Sequence, residues 1–126
     1  MKEVIAIIRM NMMNQTKRAL ADAGISSMTA REVLGRGKGI VDMDLLQGAE
    51  LGYEEAVSRL GQTDRLIPKR IILVTLPDTL VETAVKTIIR VNRTNKSGDG
   101  KIFVLPAMDA IRIRTGEYGD SVLDEV

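Results

Sequence analysis

Between Thr94 and Pro106 the chain reads TNKSGDGKIFVLP. Gly98 and Gly100 flank Asp99, and glycines let backbone N–H groups come close to an anion. Lys96 and Lys101 add positive charge to the same stretch. The plainer reading is a glycine-rich turn between a helix and a strand. The order also differs from the strand–loop–helix phosphate loop, whose G-x-x-x-x-G-K-[ST] spacing is matched here only by a local GDGK.

Three further elements bear on that choice. In IRIRTGE, Arg112 and Arg114 stand two apart, so on an extended strand both guanidiniums project to one side. Like charges side by side repel unless an anion lies between them, and forked arginines suit phosphate oxygens. GRGKG, with Gly37 and Lys38, is a second basic glycine element, or simply a hinge. Lys69, just after Pro68, suits the carboxylate of a small acid or is a solvated charge at a strand start. Together these groups suggest a bound polyphosphate that is read rather than hydrolysed.

Composition supports that reading by exclusion. Without histidine, the commonest general base and the usual zinc ligand are missing. Without cysteine there is no disulfide, thiolate nucleophile or cysteine-bound zinc, which fits a reducing, cytoplasmic setting. Eighteen Lys and Arg against seventeen Asp and Glu give no global field to draw in nucleic acid or an anionic membrane. One Phe, two Tyr and no Trp make a poor stacking platform for bases. The apolar run 4–8 is too short for a signal peptide, and the longest uncharged run, 23–30, is far below the ~20 residues of a membrane span.

The elements that must position these groups form two similar halves of one domain, 1–126. Residues 4–8, apolar throughout, read as a strand covered on both faces. A helix over 14–23 follows, with Asn14 as its N-cap and Gly24 past its end, then a strand over 26–34. The second half repeats the plan: a strand over 71–76, a helix capped by Asp78 or Thr79, and a strand over 102–105. Thr79 and Glu82 have capping-box spacing, and Leu80, Val81, Ala84, Val85, Ile88 and Ile89 form the buried stripe. AIRIR, 110–114, adds a short last strand. The fold class is therefore α+β, a ferredoxin-like βαββαβ with an antiparallel sheet. Strands one, three and four are apolar on both faces, so the sheet's second face needs a cover that another subunit would supply.

Between Gly39 and Pro68 lies a connection belonging to neither half. Connections beyond about 12–15 residues are uncommon and usually functional. Leu46, Ala49, Tyr53, Val57 and Leu60 fall on one helical stripe, interrupted by Gly48 and Gly52. Two readings stay open: a lid packed on its own domain, or an arm that orders against a partner through anchors such as Met43, Leu46, Tyr53, Val57 and Leu60.

The stretches TNKSGDGKIF and IRIRTGE resemble the B-loop (about 94–101) and C-loop (about 112–117) signatures of the PII signal-transduction family. GISSMTAREVLGRGKG is similar to the lead into that family's T-loop (about 36–67), and MKEVIAIIR to its first strand. The resemblance implies a trimer that binds ATP or ADP between subunits, with Mg2+ accompanying ATP, senses 2-oxoglutarate, and docks on targets through its T-loop. Carried over by position, it implies nucleotide contacts from Thr29, Gly37, Lys38, Thr75, Gly98, Asp99, Gly100, Lys101, Arg112 and Arg114. Lys69 matches the lysine that helps hold 2-oxoglutarate.

The family's GFGRQKG is here the shorter GRGKG, with no Gln to complete the 2-oxoglutarate site. That departure most resembles a nitrogen-fixation branch in which two PII-like proteins act together, this chain looking like the second. The implied partners are copies of itself or a Gln-bearing PII paralogue, and the implied target is dinitrogenase. A general PII role on an ammonium transporter or a nitrogen-assimilation enzyme differs only in target. Two rival classes remain: an RNA-binding module on the same plan, expecting aromatics on the middle strands, and a slow phosphotransfer enzyme using Asp99.

Overall fold

The computed structural model describes residues 1–37 and 66–124. Strand β1 (Lys2–Arg9) leads through a 3-10 turn, Met10–Met12, into helix α1 (Met13–Asp22). Strands β2 (Thr29–Gly35) and β3 (Ile67–Leu76) follow, then helix α2 (Asp78–Asn92), strand β4 (Lys101–Pro106) and a 3-10 turn, Asp120–Val122. The strands make one antiparallel sheet in the order β2-β3-β1-β4. This is the ferredoxin-like arrangement expected from the two halves.

Side-chain alternation sorts the sheet into two faces. Val4, Ala6 and Ile8 of β1 and Ile72, Val74 and Leu76 of β3 are buried, packed with Leu20 and Ile25 of the first helical segment and Ala84 and Ile88 of α2. Truncating a side chain as deeply buried as Ile72 or Ile88 to Ala costs about 2–5 kcal/mol. The other face carries Ile5 and Ile7, Ile71 and Leu73, and Phe103 and Leu105. Within the single chain Phe103 remains 45% exposed and Leu105 40% exposed. The expectation of an apolar second face therefore holds, and its largest side chains lie open.

Several local expectations are corrected. Asn14 does not cap α1: the 3-10 turn winds directly into the helix from Met12, and Thr16 Oγ1 donates back to the Met12 carbonyl. The helix does end as its glycine indicates. Gly24 takes φ +87°, and the Gly24 and Ile25 amides donate to the Ala21 and Leu20 carbonyls, which seats Ile25 in the core. The Thr79–Glu82 capping box is not made; α2 begins after Pro77 without a side-chain cap, and Glu82 pairs with Lys86 instead. Ile89 is exposed, while the polar Thr87 and Asn92 are buried. Both bond to their own helix, and Asn92 Nδ2 also donates across to Thr16 Oγ1 of α1.

Residues 110–114 form no regular strand. Ile111 and Tyr118 make an isolated bridge across a turn, closed by the Arg112 and Gly116 amides donating to the Glu117 and Arg112 carbonyls. No described helix is long and apolar enough to cross a membrane. Lys38 and the expected loop anchors Met43, Leu46, Tyr53, Val57 and Leu60 lie outside the described residues.

Candidate functional site

The sheet register divides the expected site residues into two groups. The first gathers at the end of β1 and β3 where Arg9 pairs with Lys69 and Ile7 pairs with Lys101. Here Gly98, Asp99, Gly100 and Lys101 turn from α2 into β4. β2 ends at Gly35, opposite Ile67, which brings Gly37 to the same end.

This loop is held by its own aspartate. Asp99 Oδ2 accepts from the Thr94 amide (2.8 Å) and the Asn95 amide (3.1 Å). Its Oδ1 accepts from the Thr94 hydroxyl and from Arg9 Nη1, the latter at 2.5 Å. These contacts, the Thr94 hydroxyl and amide first and Arg9 after them, hold the Asp99 carboxyl far below its ordinary range. With both oxygens engaged, Asp99 is the loop's internal brace and is ill suited to accept a proton. That removes the residue on which a phosphotransfer reading depended.

Close approach fixes Gly100. It has φ +114°, and a Cβ there would stand 1.9 Å from the Ile7 carbonyl oxygen. The loop thus turns on bare backbone pressed against β1. Lys69 Nζ reaches the same loop and donates to the Gly98 carbonyl at 3.0 Å. Its pKa is lowered, by desolvation first and by neighbouring Arg9 second, with Asp99 opposing. A lysine whose charge is so disfavoured gains most from an acidic ligand.

The second group surrounds a cleft of about 750 Å³ at the opposite end of the same sheet face. Thr29 of β2 and Thr75 of β3 form its floor with Leu73 and Glu3, and Arg112 and Arg114 form its wall. Arg112 is largely buried, contacting Glu117 Oε1 and Asp124 Oδ1, each at 3.3 Å, and the Ser121 carbonyl at 3.4 Å. Arg112 and Arg114 thus share the cleft, although their expected strand is a turn.

Among the described residues no cluster of three or more carboxylates could hold a metal ion. A Mg2+ here would come with the phosphates it neutralises, the usual mode for this cation. The middle strands β1 and β3 present Ile5, Ile7, Ile71 and Leu73 where a base-stacking module would place aromatics, so the RNA-binding reading lacks its platform.

Sequence reasoning had given no role to Arg9, Thr94, Glu117 or Asp124. The first two organise the glycine loop, and the acidic pair occupies Arg112. Thr94 and Glu117 do lie within TNKSGDGKIF and IRIRTGE, each five residues from the partner it binds.

Comparison with known proteins bears on the family and the fold. The family model described as "Nitrogen regulatory protein P-II" matches residues 1–117. The chain is 46% identical over 127 residues to "Nitrogen fixation nifHD region GlnB-like protein 2" of Methanobacterium ivanovii, covering 98% of this chain and 99% of that one. It is 40% identical over 123 residues to "Nitrogen regulatory protein P-II 1" of Escherichia coli K12, covering 98% and 100%. Among solved structures, Arabidopsis thaliana PII bound to citrate superimposes with a TM-score of 0.72 at 31% identity, over 97% of this chain and 88% of that one.

Proposed function

The chain belongs to the nitrogen regulatory protein P-II family, and from that premise we propose that it is an ATP- and ADP-responsive regulator whose target is dinitrogenase. It is a regulatory protein rather than an enzyme. Its effectors in this reading are ATP or ADP, Mg2+ with ATP, and 2-oxoglutarate.

One observation supports the nucleotide assignment above the others: the phosphate-suited residues lie at opposite ends of one open sheet face. Lys69 and Thr75 are six residues apart on β3, about 20 Å at strand spacing. That is farther than a triphosphate reaches, so neither cluster completes a site within its own chain. Setting the glycine loop of one copy against the Thr29–Arg112 cleft of the next brings both to one ligand. Such head-to-tail contacts close into a ring when the rotation between copies divides the circle, and the family's trimer is the ring we propose. The same contact would cover Phe103 and Leu105 and the exposed Ile111 and Ile113 near the cleft.

Within that ring, Gly98, Gly100 and Lys101, with Gly37 and Lys38, take the phosphates from one side. Asp99 shapes the loop beneath them. Thr29, Thr75, Arg112 and Arg114 approach from the other side. Lys69 takes a carboxylate of 2-oxoglutarate. The absent Gln makes a PII paralogue the proposed source of the rest of that subsite, in a mixed oligomer. Residues 36–67, with Met43, Leu46, Tyr53, Val57 and Leu60, form the target-binding loop; deleting 43–60 should abolish target inhibition and spare ATP binding.

The deciding experiment is calorimetric titration with Mg-ATP, with and without 2-oxoglutarate, on this protein alone and mixed with its paralogue. ATP binding that tightens with 2-oxoglutarate only in the mixture supports the paired reading. Tight 2-oxoglutarate binding by this chain alone removes the need for a partner, and no ATP binding in either sample refutes the nucleotide site. A second reading, regulation of an ammonium transporter or a nitrogen-assimilation enzyme, draws on the 40% identity to the Escherichia coli protein. Failure to inhibit purified dinitrogenase under any effector condition would favour it.

A further inference from the structure

A glycine loop meant for phosphate here carries a carboxylate at its centre. Left bare, Asp99 would repel the ligand that its neighbours attract, because like charges within a few ångströms oppose each other strongly where water is partly excluded. Arg9 is placed to cancel it. Its Nη1 lies 2.5 Å from Asp99 Oδ1, and its Nη2 donates to the Ser97 carbonyl at 3.0 Å. The guanidinium also lies along Gly98, where an added Cβ would stand 3.3 Å from Nη2. Both partners are partly sheltered, with side-chain exposures of 28% for Arg9 and 24% for Asp99, so solvent screens the pair less than a surface pair.

We propose that Arg9 is a positioning residue of the nucleotide site, neutralising Asp99 and fastening the glycine loop to the end of β1. This inference rests on the nucleotide reading above and adds a residue to it. Residues 94–101 hold Lys96, Asp99 and Lys101. With Asp99 cancelled, the two lysines set the field that a phosphate meets. The loop's separate acceptors also explain why this end of the sheet tolerates two adjacent cations. Arg9 and Lys69 are partners in the β1–β3 register, and each holds a different part of the loop, Asp99 and Ser97 for one and Gly98 for the other.

The test compares wild type with Arg9→Lys, Arg9→Met, Asp99→Asn and the double variant Arg9→Met/Asp99→Asn. Mg-ATP affinity is measured by calorimetry at ~50 mM and ~300 mM salt, a range that shortens the Debye length about 2.4-fold. Arg9→Met should weaken binding at least tenfold at low salt, with a smaller deficit at high salt as the bare carboxylate is screened. Arg9→Lys should restore most of the affinity. The double variant should bind more tightly than Arg9→Met, since removing the carboxylate removes the repulsion. An equal deficit at both salts, together with a double variant no better than Arg9→Met, would overturn the neutralising role. Wild-type affinity in Arg9→Met would overturn the proposal altogether.

A ligand-free readout separates this inference from the nucleotide reading. The Asp99 carboxyl carbon, followed by NMR through an acid titration, should protonate at higher pH in Arg9→Met than in wild type. If it does while wild type binds no Mg-ATP, the fastening of the loop stands and its service to a nucleotide is refuted. An unmoved Asp99 titration refutes both parts.

Discussion

Replacing Gly100 with alanine tests whether the glycine loop depends on bare backbone. A Cβ built at this position falls 1.9 Å from the Ile7 carbonyl oxygen and 3.0 Å from its carbon, where ordinary contact begins at 3.4 Å. Loop and strand must therefore separate by about 1.5 Å, the difference between 3.4 and 1.9 Å. Neither side yields easily, because Ile7 is within the β1–β4 ladder beside its partner Lys101. The residue must also hold φ +114°, which costs a side-chain-bearing residue about 1–3 kcal/mol. Overpacking against backbone adds about 1–3 kcal/mol. The sum, about 2–6 kcal/mol, should lower the urea midpoint by roughly 1–3 M at an unchanged slope of about 2 kcal/mol/M. Samples are compared at equal protein concentration, since assembly contributes to apparent stability. Gly35→Ala is the control: among the described residues nothing lies within 4 Å of its added Cβ. Mg-ATP calorimetry on both variants reads the site directly. A Gly100→Ala protein with a wild-type midpoint and wild-type ATP affinity would show that the loop is not pressed against β1 as described.

Three other outcomes follow from the same contacts. Because the folded Asp99 carboxyl is held below its ordinary 3.8, its stabilisation is complete above that value and is lost as pH falls through the folded pKa; Asp99→Asn should flatten acid unfolding monitored by circular dichroism below about pH 4. Lys69 is also lowered, but toward its neutral form: the folded state binds fewer protons than the unfolded chain just below 10.5, so this contribution to stability rises with pH there. Lys69→Met should remove that slope in alkaline denaturation and weaken any 2-oxoglutarate response, while Mg-ATP affinity without 2-oxoglutarate changes little. Asp124→Asn releases one of the two carboxylates that contact Arg112 among the described residues and should tighten Mg-ATP binding about two- to fivefold, the scale of an exposed ion pair, in the same calorimetric assay.

How much of this was visible in the sequence depended on whether a pattern was local. Isoleucine and valine runs marked β1 and β3 because a buried face imposes its own periodicity. β3 nevertheless begins at Ile67 rather than 71, since pairing with β2 carries the ladder back past Pro68 and Lys69. Helix starts were misread because a cap needs a chain arriving at the right angle. Met10–Met12 delivers α1 already wound, and Glu82 finds Lys86 before it can fold back on its own helix start. The alternation in AIRIR suits a strand, yet a strand needs a neighbour, and the described chain offers Ile111 only Tyr118. Arg9 escaped notice for a related reason. It ends an apolar run ninety residues before Asp99, and only the sheet register brings them together.

The arrangement also bears on how a signal would leave the site. Lys69 lies near the start of β3, immediately after the long connection, and its ammonium is tied to the Gly98 carbonyl of the glycine loop. A ligand acid that draws Lys69 away must break that tie; a phosphate that fixes the loop keeps Gly98 in place. In the proposed function the two effectors therefore meet at one hydrogen bond, at the root of the segment assigned to the target. Binding can bias that segment only as far as the effector's affinity differs between its docked and released forms, and the bias must be reciprocal. If 2-oxoglutarate loosens target docking, the docked target must weaken 2-oxoglutarate by the same factor. The Lys69–Gly98 contact is the place in the described chain where that exchange has a physical cause, because the lysine cannot serve the carbonyl and a ligand carboxylate equally well in one position.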